Sequence, residues 1–105
     1  MEKNLYVSAG LNTCLALEVA RALLSKLGLG AWISEWDIMR QDLDRESDQE
    51  RSCRYEIRGR TSQRQVFHVD VWMGGSGNRK VTLFRPVFQT ATFIHEGEKV
   101  KIFLS

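Results

Sequence analysis

Two spacings of apolar residues divide the chain. Between Thr13 and Leu27, Leu15, Val19, Ala22, Leu23 and Leu27 recur every three or four positions. Leu17, Ala20 and Leu24 widen that stripe until only Cys14, Glu18, Arg21 and Ser25 remain as a narrow polar line. Such spacing predicts an α-helix, and one with so little polar surface must be largely enclosed, most simply by a curved sheet. Asn12 suits an N-cap, because its side-chain oxygen can accept from a free amide of the first turn. Gly28 and Gly30 supply the C-terminal stop. Upstream, residues 4–8 read as a short first strand ended by Ala9 and Gly10.

From Cys53 onward the period falls to two. Cys53, Tyr55 and Ile57 alternate with Arg54, Glu56 and Arg58, and Phe67, Val69, Val71 and Met73 alternate with Val66, His68, Asp70 and Trp72. These are half-buried strands. Residues 59–62 turn the chain between them, and the glycine-rich 74–78 connects to a third pattern from Lys80 to Ile94. Pro86 breaks that pattern and marks an edge or a bulge, because proline cannot donate to a ladder. Residues 95–98 close a last hairpin, after which Val100, Ile102 and Leu104 share one face. Residues 31–41 fit two templates. Trp32, Trp36, Met39 and Leu43 have helical spacing behind a Ser34–Asp37 capping arrangement, whereas Trp32, Trp36 and Ile38 share one face of a strand. The strand, starting at Ala31, is the reading adopted. Residues 42–51 read as a solvated acidic segment.

The expected architecture is a single α+β domain over residues 1–105. One enclosed N-terminal helix packs on an antiparallel meander of four to five strands. The chain's 105 residues suffice for a core without disulfides or metals. Its 43% hydrophobic and 10% aromatic content with one proline excludes a disordered chain. The longest apolar runs are only a few residues, which excludes a spanning helix, and the N-terminal stretch lacks the apolar block of a signal peptide. Cys14 and Cys53 read as two reduced thiols of a cytoplasmic protein.

Charge adds a polarity to this picture. Residues 1–50 carry five basic and nine acidic side chains, and residues 51–105 carry ten and four, so −4 is set against +6 within an overall +2. On the strand registers above, the sheet face away from the helix carries Arg54, Arg58, His68, Asp70, Trp72, Lys99, Lys101 and Phe103. Cations interleaved with exposed rings suit single-stranded nucleic acid, where each stacked base contributes roughly 1–3 kcal/mol. Arg79 and Lys80, beside the glycine-rich connection, are candidate phosphate contacts. Glu56 and Asp70 interrupt the patch, however, and the chain holds no RNP-type signature. An aromatic sheet face that one helix cannot cover equally marks a protein interface, with residues 31–50 or a second copy as its cover. The terminal strand at 98–104 would be an open edge.

Other constellations fall short of a motif. Asp42, Asp44, Glu46, Asp48 and Glu50 have the spacing of calcium-loop ligands, but Ser47 and Cys53 stand where glycine and a bidentate glutamate belong. Gly74 and Gly77 have a GxxG spacing but join strands. His68 and Asp70 share a strand face and are the one plausible acid–base or metal pair, with only the distant His95 and Glu96 evident as further ligands. Cys14 lacks an identifiable base, and residues 10–13 lack the glycines and lysine of a phosphate loop. Trp32, Trp36, Tyr55, Phe67, Phe84 and Phe88 are a conceivable pocket lining between helix and sheet. The leading expectation is a non-catalytic interaction module without a cofactor or metal, self-associating through its sheet. Nucleic-acid and small-molecule binding are the alternatives.

Overall fold

The computed structural model describes residues 2–42, 53–73, 79–97 and 99–105, and their side chains except at 2–12, 33–36 and 41–42. Helix α1 (Glu2–Lys26) is followed by strands β1 (Trp32–Asp42), β2 (Cys53–Arg60), β3 (Val66–Met73), β4 (Arg79–Arg85), β5 (Gln89–Glu96) and β6 (Lys99–Leu104). All six strands join one antiparallel sheet in the order β1-β2-β3-β4-β5-β6. The α+β class therefore holds, with one strand more than the four to five expected. The extra strand comes from the long 80–94 pattern. The chain reverses around Pro86, so its two halves pair with each other as β4 and β5.

The helix also starts earlier than its strongest periodicity. Residues 4–8 are helical rather than a strand, and Asn12 lies inside α1 rather than capping it. A single helical glycine costs only about 1 kcal/mol relative to alanine, too little for Gly10 to stop a helix. Leu5 and Ala9 carry the four-residue step back toward the N-terminus. At the other end the expected stop is present in full. The amide of Leu29 donates to the carbonyl of Leu24 (2.9 Å) and that of Gly28 to Ser25 (3.0 Å), with Gly28 at φ 75°. This is a Schellman closure, whose left-handed residue is least costly as glycine.

Ala16, Val19, Ala20, Leu23 and Leu24 are fully buried, while Cys14, Glu18 and Ser25 remain exposed. The buried stripe meets the inward residues of the sheet: Tyr55 and Ile57 on β2, Phe67, Val69 and Val71 on β3, Val81 and Leu83 on β4, Ala91 and Phe93 on β5, and Ile102 on β6. Each large side chain removed from water there contributes roughly 1.5–3 kcal/mol. The ambiguous segment is a strand that begins at Trp32, one residue after the expected Ala31, with a register shift against β2 between Trp32 and Asp37. The acidic residues beyond Asp42 and the glycines at 74–78 lie outside the described residues.

The β2–β3 turn is tied down. Its reversal spans 61–65, since Gly59 and Arg60 still pair with Phe67 and Val66 in the ladder. Buried Thr61 donates its amide to the Gln65 carbonyl (2.8 Å), and its hydroxyl accepts from the amides of Gln63 and Gln65. Ser62 donates its amide (3.2 Å) and its hydroxyl (2.8 Å) to the Leu29 carbonyl, so the turn rests on the link between α1 and β1. That turn fixes the β2–β3 register and with it the site described next.

Candidate functional site

Helix α1 occupies one face of the sheet, and no described element packs over the other. Strand alternation sends Arg54, Glu56 and Arg58 of β2 to that open face. Their partners across β3 are Trp72, Asp70 and His68 respectively. One row runs Gln41–Arg54–Trp72–Lys80–Thr92–Phe103 across all six strands. The next runs Met39–Glu56–Asp70–Thr82–Thr90.

Two carboxylates directly opposed on neighbouring strands repel unless a cation separates them. Here Arg54 does so. Its Nη1 donates to Oδ2 of Asp70 (3.1 Å), and its Nη2 lies 3.8 Å from Oε2 of Glu56. Arg58 pairs with Oε1 of Glu56. His68 Nε2 lies 3.1 Å from Oδ1 of Asp70 and 3.5 Å from Oε1 of Glu56. Asp70 is only 4% exposed despite facing away from the core, because these side chains close around it. Aromatic rings frame the network. Arg54 stacks over Trp72 at 5.6 Å, and His68 meets Phe84 at 5.0 Å, which meets Phe88 edge-on at 6.0 Å.

The residues singled out in the sequence do share this face, but in two groups. Arg54, Arg58, His68 and Trp72 form the cluster on β2 and β3. Lys99, Lys101 and Phe103 lie on edge strand β6, three strand spacings or about 14 Å from Trp72. Lys101 pairs there with Glu96 (3.0 Å). Arg79 and Lys80 open β4 instead of extending a loop, and alternation sends them to opposite faces. Of the expected pocket lining, the Trp36 side chain lies outside the described residues, and the other five divide between core and surface. Tyr55 and Phe67 fill the core, whereas Phe84, Phe88 and Trp32 are exposed, the first two on the open face. Residues 31–42 cannot cover that face, since β1 lies within the sheet.

Glu56 is the member that sequence reasoning passed over. It appears there only as an interruption of a basic patch, while the search for a third ligand beside His68 and Asp70 went to His95 and Glu96. Strand pairing brings Glu56 to them instead, and ligand atoms of Glu56, His68 and Asp70 lie within 4.8 Å of one another. Once Arg60 is placed opposite Val66 by the hairpin turn, Glu56 must fall opposite Asp70.

Among the core groups, burial pushes the Tyr55 phenol above its ordinary value, with the nearby Thr13 side chain pulling the other way. Both cysteines are free thiols, Cys14 exposed and Cys53 buried. No described helix is long and apolar enough to cross a membrane. Comparison with known families, characterised proteins and solved structures finds no match to the chain.

Proposed function

We propose that this protein is a non-catalytic interaction module whose open sheet face binds a second copy of the same chain. The observation that carries the reading is how charge and apolar surface are distributed on that face. Arg54, Arg58 and Lys101 are each paired with a carboxylate of their own chain. Beside them, Phe84, Phe88, Ile94 and Phe103 are 40%, 68%, 40% and 50% exposed. A polyanion approaching the β2–β3 cluster meets cations that are already neutralised and finds Lys80 and Lys99 as the further cations of the face, so single-stranded nucleic acid has weaker support. At the β2–β3 cluster an identical face meets no excess of like charge, and a two-fold contact centred there keeps Lys80 and Lys99 toward its rim. It can bury the rings against each other about a two-fold axis, where each patch contacts its own copy.

The open face fits this role better than the edge. Strand β6 presents Lys99 and Lys101, the kind of side chains that discourage edge-to-edge pairing. The Phe84–Phe88 pair beside His68 is the expected anchor, since buried aromatics dominate interface energies.

Solution mass by light scattering on a size-exclusion column, over a concentration series at low and high salt, tests the reading. The expected result is a dimer at both salts. The double variant Phe84→Ser/Phe88→Ser should run as a monomer with unchanged circular dichroism. A wild-type monomer throughout, or a double variant that stays dimeric, refutes it. In the monomer case, titration with single-stranded DNA and RNA against tryptophan fluorescence tests the alternative occupant.

A further inference from the structure

We infer that Glu56, His68 and Asp70 form a three-ligand site for a divalent first-row transition metal, with Zn²⁺ the natural probe. The inference does not rest on self-association, because all three ligands come from one chain.

The geometry is close to that of a coordination shell. A nitrogen and two oxygens bound at 2.0–2.2 Å in a tetrahedron are separated by about 3.4 Å. His68 Nε2 already stands 3.1 Å from Oδ1 of Asp70 and 3.5 Å from Oε1 of Glu56. The remaining edge, within 4.8 Å, closes by rotation about the Glu56 side chain. The three donors rise from two adjacent strands on the side of the sheet that no described element covers. The outward position of a bound ion is thereby left for water or another ligand, as in open rather than sealed zinc sites.

The disposition of oxygens argues further. Arg54 engages the far oxygens, Oδ2 of Asp70 and Oε2 of Glu56, and leaves Oδ1 and Oε1 turned toward His68. Carboxylates that ligate metals are commonly oriented in this way by hydrogen bonds to their other oxygen. Arg54 is thus a positioning residue rather than a competitor. Arg58 is the competitor, because it holds Oε1 of Glu56, the same atom the ion requires. Its side chain is 56% exposed and can swing into water. One nitrogen and two carboxylate oxygens favour zinc, manganese, cobalt or iron(II) over the all-oxygen preference of calcium. The ion would bind the neutral imidazole whose proton sits on Nδ1, which leaves the Nε2 lone pair free to ligate.

Calorimetric titration of the full chain with Zn²⁺, repeated with Co²⁺ to read visible absorption, tests the site. Wild type should bind one equivalent and melt at a higher temperature with the ion present. His68→Ala should abolish both effects, and Glu56→Gln should weaken binding about tenfold or more. Arg58→Ala should tighten it by up to about thirtyfold, the factor that a unit charge held some 4 Å from a divalent ion is worth in water. A purely structural ion-pair network would not respond in that direction. Circular dichroism of each variant separates loss of binding from loss of fold. Three results overturn the site: no binding by wild type and Arg58→Ala, undiminished binding by His68→Ala, or an Arg58→Ala variant that binds no better than wild type.

Discussion

The energy of the Arg54–Asp70 pair tests whether the open face is held as firmly as the geometry implies. Breaking a fully buried ion pair costs roughly 3–5 kcal/mol, because the remaining charge loses both water and partner. An exposed pair contributes only about 0.2–1 kcal/mol. The Asp70 side chain is 5% exposed and that of Arg54 27%, which places the pair nearer the buried limit. His68 remains 3.1 Å from Asp70 when Arg54 is removed and offsets part of the loss. Arg54→Ala should therefore cost about 2–3 kcal/mol, lowering Tm by roughly 8–20 °C for a domain of this size. Some of that is the lost stacking on Trp72, so the single variant alone does not isolate the pair. Urea denaturation of wild type, Arg54→Ala, Asp70→Asn and the double variant completes a cycle that cancels the stacking contribution. A coupling energy of about 1 kcal/mol or more is expected. Coupling below about 0.5 kcal/mol would mean that the two charges behave as ordinary surface groups, and the tight closure around Asp70 would count for nothing.

Two further predictions concern the scaffold. Gly30 has φ 68°, and a Cβ there would meet the Ser62 Oγ at 3.0 Å and its Cβ at 3.1 Å. Ser62 cannot rotate away without losing its bond to the Leu29 carbonyl, so Gly30→Ala should cost about 2 kcal/mol from left-handed backbone plus one lost hydrogen bond. Gly28→Ala, at φ 75° with open space around it, should cost only the backbone share of about 1 kcal/mol. Equal Tm losses for the two variants would discount the turn contact. Tyr55 sets the alkaline limit. Its phenol holds its proton more tightly in the folded chain than in the unfolded one, so its share of stability is complete below about pH 10 and falls as pH rises beyond that. Tyr55→Phe should flatten the decline in urea midpoint between neutral and strongly alkaline pH, and an unchanged slope would remove Tyr55 as its source.

What the sequence made legible follows from which interactions are local. Alternation at 53–57 and 66–73 named the inward residues of β2 and β3 because a strand's two faces are set by its own period. Gly28 was readable for the same reason, since a Schellman closure involves only its immediate neighbours. The helix start was not, because one glycine and one asparagine weigh little against a stripe that continues past them. Site membership was harder. His68 and Asp70 stand two apart on one strand and are visible together, whereas Glu56 joins them only through strand pairing. That pairing depends on where the 61–65 turn reverses, a matter of Thr61 and Ser62 hydrogen bonds that no periodicity reports. The candidate pocket aromatics were hard to sort for a related reason. Aromatic content alone does not distinguish Tyr55 and Phe67, which face the helix, from Phe84 and Phe88, which face away.

The strand order is sequential, so every ladder joins neighbours along the chain and can form as a succession of hairpins. Helix α1 is different, because its backbone runs closest to β6, the last of the described strands. During synthesis the apolar stripe around Leu23 leaves the ribosome before any strand does, and β6 leaves after the other strands. A nascent chain halted before Lys99 holds the inward residues of β2 to β5 but lacks Ile102 and the strand along which the helix runs. Chaperone dependence and degradation of truncated products should therefore turn on the final hairpin.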